Sequence, residues 1–205
     1  MFANKTTNMY EVSPTEYKKL LHDNITKTYR KSTPRLEKTI IMEAKCIAKK
    51  INLDDRIDSL AKNPAFITLK DHKPNFRSSL PCRLINPSKN ELGRVSKVLL
   101  ENINKQLIES LNVNQWKNSE SVIDRFNTIE NKHQCVFIQL DIVEFYPSIT
   151  EEILDKTISF AKQHVEITDD HLRIIKHCRK SLLFNNNDSW RKKDTDSCFD
   201  VTMGS

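Results

Sequence analysis

Asp141 closes an apolar run, Cys-Val-Phe-Ile-Gln-Leu at 135–140, and an aromatic pair, Phe145 and Tyr146, follows it. The run alternates. Val136, Ile138 and Leu140 share one side of an extended chain, while Cys135, Phe137, Gln139 and Asp141 share the other. The spacing predicts a buried strand over 135–141 that delivers Asp141 to its C-terminal end. A carboxylate there is costly to bury unless a base or a metal ion meets it. The chemistry on offer is therefore cation binding, and a helix-capping Asp is the plain structural alternative. Glu144 is near in sequence, but an irregular turn does not ensure that the two carboxylates converge.

A second group of chemically able residues is basic. Lys70, Lys73, Arg77 and Arg83 fall with His72 and Phe76 in a stretch that reads as strand, loop, strand. Residues 66–70 and 82–85 carry the strand pattern, and Pro74, Asn75 and the following serines suit the loop between them. Cations at a hairpin tip suit a triphosphate, because Lys acts as a point charge and Arg forms forked hydrogen bonds. A solvated sheet edge is the ordinary reading of the same hairpin taken alone.

From Asp141 to Ile149 the chain reads Asp-Ile-Val-Glu-Phe-Tyr-Pro-Ser-Ile. This resembles the first carboxylate motif of the reverse transcriptases, in wording close to that of Penelope-like retroelements. Leu69-Lys70-Asp71-His72-Lys73-Pro74 is similar to the Leu-Pro-Lys-Ile-His-Lys stretch of the same elements, and Arg83-Leu84-Ile85 falls where they carry Arg-Pro-Ile. Thr202-Met203-Gly204-Ser205 resembles the start of the next polymerase motif. Asp71 and Leu84 depart from the family pattern.

The resemblance implies an RNA-directed DNA polymerase acting on an RNA template, a DNA primer and deoxynucleoside triphosphates. It implies magnesium held by Asp141 and the Ile142 carbonyl, with Tyr146 screening the sugar and Arg83 on the incoming nucleotide. Lys70, Lys73, Arg77 and Gly204 join the nucleotide site, and Arg94 and Lys97 are assigned to nucleic acid. The family's paired-Asp motif, Tyr-x-Asp-Asp, does not occur in the 205 residues. The expectation is a polymerase fragment, fingers and the first half of a palm, inactive alone. A non-catalytic nucleic-acid-binding module and an inert gene fragment are the competing readings.

The elements that must position these groups are mostly helical. Ser13-Pro14-Thr15-Glu16 is a helix start with a capping box, and Ser32-Thr33-Pro34 is another. Helices are predicted over 14–30, 34–51, 95–111 and 121–129, then from Thr150 and from Thr168 to Leu183. Asn185 to Asp188 predicts a hairpin turn. Residues 1–12 are expected to be loosely held, and Trp116 to be a half-buried packing residue. Lys45, Lys49 and Lys50 read as the solvated side of a helix. The fold class expected is α/β or α+β, a mixed sheet packed by helices. Its regions are a helical 1–62, a fingers-like 63–134 and a partial palm at 135–205.

Composition sets outer limits. Lys and Arg number 33 against 27 Asp and Glu, a net charge of +6 that mildly favours a polyanionic partner. The cysteines, Cys46, Cys82, Cys135, Cys178 and Cys198, lie far apart in no zinc-like spacing and read as free thiols of an intracellular protein. His164, His171 and His177 form no metal-site spacing. No apolar run is long enough for a membrane span. With only Gly93 and Gly204 as glycines, a phosphate-cradling glycine loop is excluded.

Overall fold

Ser13 starts the first helix: its hydroxyl accepts the Glu16 N–H at 3.2 Å, and Pro14 takes the first helical position. The structure, a computed structural model, describes residues 1–3, 5–53, 62–87, 91–113, 115, 116, 118–136, 138–142, 145–193 and 198–201. Helix α1 (Pro14–Thr28) buries Leu21 and Ile25, and the chain then turns extended at Tyr29 to form β1 (Tyr29–Lys31). Thr33 caps α2 (Pro34–Lys50), which buries Ile40, Ala44 and Ala48. Strands β2 (Phe66–Leu69) and β3 (Cys82–Ile85) form an antiparallel pair with Thr68 opposite Arg83. Between them lies a one-turn helix, α3 (Phe76–Ser79).

The long helix α4 (Glu91–Leu111) packs against α8 (Asp169–His177), and the short helices α5 (Ser119–Asn127), α6 (Phe145–Ser148) and α7 (Glu151–Ala161) lie between them in sequence. Thr150 and Thr168 cap α7 and α8 as their spacing predicts. A hairpin follows, β4 (Leu183–Asn185) and β5 (Asp188–Lys192). Its turn residues Asn186 and Asn187 have φ of 50° and 64°, the left-handed values that a tight hairpin turn demands and Asn tolerates. The sheet order is β1-β5-β4, antiparallel throughout.

The class is therefore mixed helix and strand, as expected, but its sheets differ from expectation. In place of a mixed central sheet, the described residues form two small antiparallel ones. The strand predicted over 135–141 does not form among its described residues. Alternation describes a face that would suit a sheet; it makes a strand only where a partner backbone and an apolar layer are at hand. The helix predicted from Thr168 to Leu183 stops at His177. Residues beyond it pair with the C-terminal segment instead: Asp200 N–H donates to Arg179 O at 2.8 Å and Ser181 N–H to Cys198 O at 3.0 Å.

The core joins both ends of the chain. Leu21, Ile25 and Tyr29 pack with Ala65, Ile67, Leu183 and Trp190, while Ile40 meets Leu182, Phe184 and Cys198. Ala44 and Ala48 meet Leu92. Between Ser96 and Ile158 no described residue is buried. Trp116, expected to be half-buried, is exposed, as are Ile123 and Phe126 of α5. Among the described residues, no helix is long and apolar enough to cross a membrane.

Tyr29 also carries the polar closure. Its hydroxyl donates to Asp200 Oδ2 at 2.6 Å, and Lys192 Nζ lies 3.9 Å from Oδ1. Burial drives the Asp200 carboxyl above the usual range, although Tyr29 and Lys192 pull it back. On acidification the folded state takes up this proton before the unfolded chain does. Its contribution therefore falls as pH rises from the unfolded value through the folded one, and above that the buried charge is a standing cost. Asp200→Asn should raise stability at neutral pH and flatten that part of the pH profile in denaturant titrations. Tyr29→Phe should cost about 1–3 kcal/mol by leaving Asp200 short of a donor. A destabilised Asp200→Asn protein at neutral pH would contradict this assignment.

Candidate functional site

The basic ribbon forms where the sequence places it. Ile67 and Leu69 of β2 point into the core, so Thr68 and Lys70 point outward, and Arg83 sits opposite Thr68 on that outward face. Lys70 N–H donates to Pro81 O at 2.8 Å and closes the base of the loop. Inside it, Lys73 N–H meets Lys70 O at 3.1 Å and Phe76 N–H meets Lys73 O at 3.0 Å, a tight turn that runs into α3. Lys73 and Arg77 project from this tip and are exposed; Lys70 and Arg83 are half-buried. Sequence order and fold thus bring the four cations onto one hairpin.

The acidic motif is positioned differently from expectation. A 3-10 turn at Lys132–Gln134 leads into a stretch in which no described residue is buried. Val136, Ile138 and Leu140 are 86%, 74% and 88% exposed, and Asp141 is exposed as well. The buried strand expected to deliver Asp141 is thus corrected: among the described residues of 135–141 no strand forms, and the carboxylate is solvated. Ile142 follows in the same exposed stretch, so its carbonyl is not fixed by a strand. Tyr146 sits on the one-turn helix α6 with its ring 5.5 Å from that of Phe145. Glu144 and Gly204 lie outside the described residues.

The resemblance implies magnesium, and of the ligands it implies Asp141 is an exposed carboxylate and Ile142 offers a backbone carbonyl. Among the described residues no group of three or more His, Cys, Asp or Glu side chains could hold a metal ion. A two-metal site needs several converging carboxylates. A cavity of about 70 Å³ opens between α2 and α8, lined in part by Cys46, Ile47, Lys50 and Arg173; neither Asp141, Tyr146 nor Arg83 is in its wall. Arg94 and Lys97 stand exposed on α4 beside local acids, Arg94 at 2.7 Å from Glu91 and Lys97 at 3.7 Å from Glu101. Such helix-surface pairs contribute little.

No protein-family model, curated protein or solved structure matches this chain.

One residue near the site was not legible as important. Asp71, a departure from the family pattern, collects hydrogen bonds from Thr6, Asn8 and Tyr10. The donors hold its carboxyl below the usual range, with His72 adding to the effect. Residues 1–10, expected to be loose, are thereby docked on the hairpin. The available signal was the spacing of Thr6, Asn8 and Tyr10, every second residue and hence one side of an extended chain.

The lack of burial among the described residues between Ser96 and Ile158 has a direct consequence for proteolysis. Short helices without a buried face open at little cost. Trypsin should cut the native protein first at Arg125 or Lys132, before Arg173 or Lys176 of α8, with the fragments identified by mass. Early cleavage within α8 would show that the middle of the chain is the better-held part.

Proposed function

We propose that the chain is the fingers and first palm portion of a retroelement RNA-directed DNA polymerase. The observation that carries this reading is order. A basic antiparallel hairpin bearing Lys70, Lys73, Arg77 and Arg83 precedes an Asp-Ile-x-x-Phe-Tyr-Pro-Ser-Ile motif at Asp141 to Ile149. The exposed alternation at Val136, Ile138 and Leu140 adds support, because such a face is built to lie on a sheet. Covering each of those side chains would contribute about 1.5–3 kcal/mol. A palm sheet completed by further strands would supply that cover and bring other carboxylates to Asp141.

On this reading the hairpin cations hold a triphosphate, Arg83 by forked hydrogen bonds and the tip lysine by charge. Asp141 would be one magnesium ligand of the complete enzyme, where the metal supplies charge stabilisation for nucleotidyl transfer. Tyr146 would exclude a ribose 2′-hydroxyl by collision. For the 205 residues themselves a second reading has its own support. Exposed Lys73 and Arg77 on the hairpin, with Asp141 in no metal-holding group among the described residues, suit a non-catalytic nucleic-acid-binding module.

The test is primer extension on an RNA template by a chain extended in frame through a paired-Asp motif. Asp141→Asn should abolish synthesis without unfolding the protein, and Tyr146→Ala should keep synthesis while admitting ribonucleotides. Arg83→Ala should raise the nucleotide requirement roughly ten- to a hundredfold, the loss of one charge-assisted contact. Normal synthesis by the Asn variant would overturn the polymerase assignment of Asp141. The 205-residue chain should bind single-stranded RNA without synthesis, with affinity that falls steeply as salt rises.

A further inference from the structure

Asp71 is the odd member of the basic loop, a carboxylate set among Lys70, His72 and Lys73. Its Oδ2 accepts from Thr6 Oγ1 at 2.7 Å, from Asn8 Nδ2 at 2.9 Å and from the Tyr10 hydroxyl at 3.1 Å. The segment that supplies these donors doubles back on itself. Ala3 N–H donates to Asn8 O at 3.0 Å, Tyr10 N–H to Met1 O at 2.9 Å, and Phe2 bridges to Met9. It lies along the edge of β2 opposite β3, where Leu69 N–H donates to Phe2 O at 3.1 Å and Ala3 pairs with Leu69 in parallel sense. A second contact is aromatic: the Tyr10 ring meets Phe76 edge-on, centroids 4.9 Å apart. Asp71 and Phe76 flank Lys73 in sequence, so the strap grips the loop on both sides of that cation.

Apolar contact holds the strap at its start, where Met1 packs against the core cluster of Leu21, Ile25 and Ile67, and does little beyond it. Phe2 and Met9 are 68% and 72% exposed, and Ala3 is the one buried residue among those described in 1–10. Docking therefore leans on the hydrogen bonds to Asp71, and bonds to an ionised acceptor are roughly twice as strong as neutral ones. The other carboxylate oxygen, Oδ1, is buried with no partner among the described residues. That omission offsets part of what the three donors contribute. A firm local grip on a weakly buried segment is the physical make-up of a reversible element.

We propose that residues 1–10 form a latch that docks on Asp71, covers the edge of β2 and fixes the geometry of the basic loop. Release frees the loop and uncovers the Leu69 N–H. The latch stands whatever the loop binds, so it does not share the fate of the polymerase reading. Hydrogen exchange on the whole 205-residue chain tests it, because the Leu69 amide reports docking directly. Asp71→Ala should speed exchange at Leu69 and through 1–10 on the order of tenfold, while β4 and β5 keep their protection. Thr6→Val combined with Asn8→Leu removes two donors from exposed positions and should give the same pattern, which keeps the test decisive should Asp71→Ala fail to fold. Asp71→Asn, which keeps the shape and loses the charge, should fall between. Unchanged Leu69 exchange in the donor variant would overturn the latch. So would loss of protection across β4 and β5 in that variant, because the contact would then hold the whole fold.

Discussion

Pairing of β1 with β5 is the constraint on which the rest depends. It sets Tyr29 opposite Lys192 and Lys31 opposite Trp190, residues from the two ends of the chain. Closing so long a loop is entropically tolerable, because the cost grows only with the logarithm of length, but burial must offset it. Leu21, Ile25, Tyr29, Leu183 and Trp190 provide that burial in one cluster. Lys31 adds an ion pair to Asp188 at 2.7 Å and lies 5.9 Å from the centre of the Trp190 ring. Once this sheet is closed, Ala65 N–H can donate to Phe184 O at 2.7 Å, which ties β2 to β4. The basic hairpin owes its place to that bond and to the side chains of Ala65 and Ile67 beneath it.

The same arrangement explains why the two chemically able groups differ in readiness. The hairpin rests on the core through Ile67 and Leu69, and a functional group is precise only when its support is rigid. Among the described residues Asp141 has no such support. Its neighbours Val136, Ile138 and Leu140 turn apolar side chains to solvent, and α5 before it buries nothing. Arginine and lysine on a supported ribbon are held in place, whereas a carboxylate on an open segment needs further structure before it can share a metal. On the polymerase reading, that further structure is the remainder of the palm.

What the sequence made legible was local. Ser13, Thr33, Thr150 and Thr168 announced helix starts because a cap is settled within three or four residues. The two hairpins were legible for a similar reason, since turn chemistry acts over a few positions. What failed depended on distant partners. Alternation at 135–141 states what a face would suit, not whether a sheet exists to meet it. The helix from Thr168 was cut short because residues 179–181 found backbone partners near Asp200. Residues 1–10 looked loose because their acceptor, Asp71, lies 61 residues beyond Tyr10. Asp200 itself carried no sign of its burial, which comes from Tyr29, 171 residues away.

The central functional claim is that the hairpin and the acidic motif serve one nucleotide site in the complete enzyme. Photo-crosslinking tests it most directly: a photoreactive deoxynucleoside triphosphate bound with primer and RNA template, its attachment sites mapped by mass spectrometry. The account predicts adducts in two places, within 70–83 and within 141–146, both lost when unlabelled triphosphate competes. Adducts confined to the lysine face of α2, at Lys45, Lys49 and Lys50, or found on only one of the two segments, would contradict it.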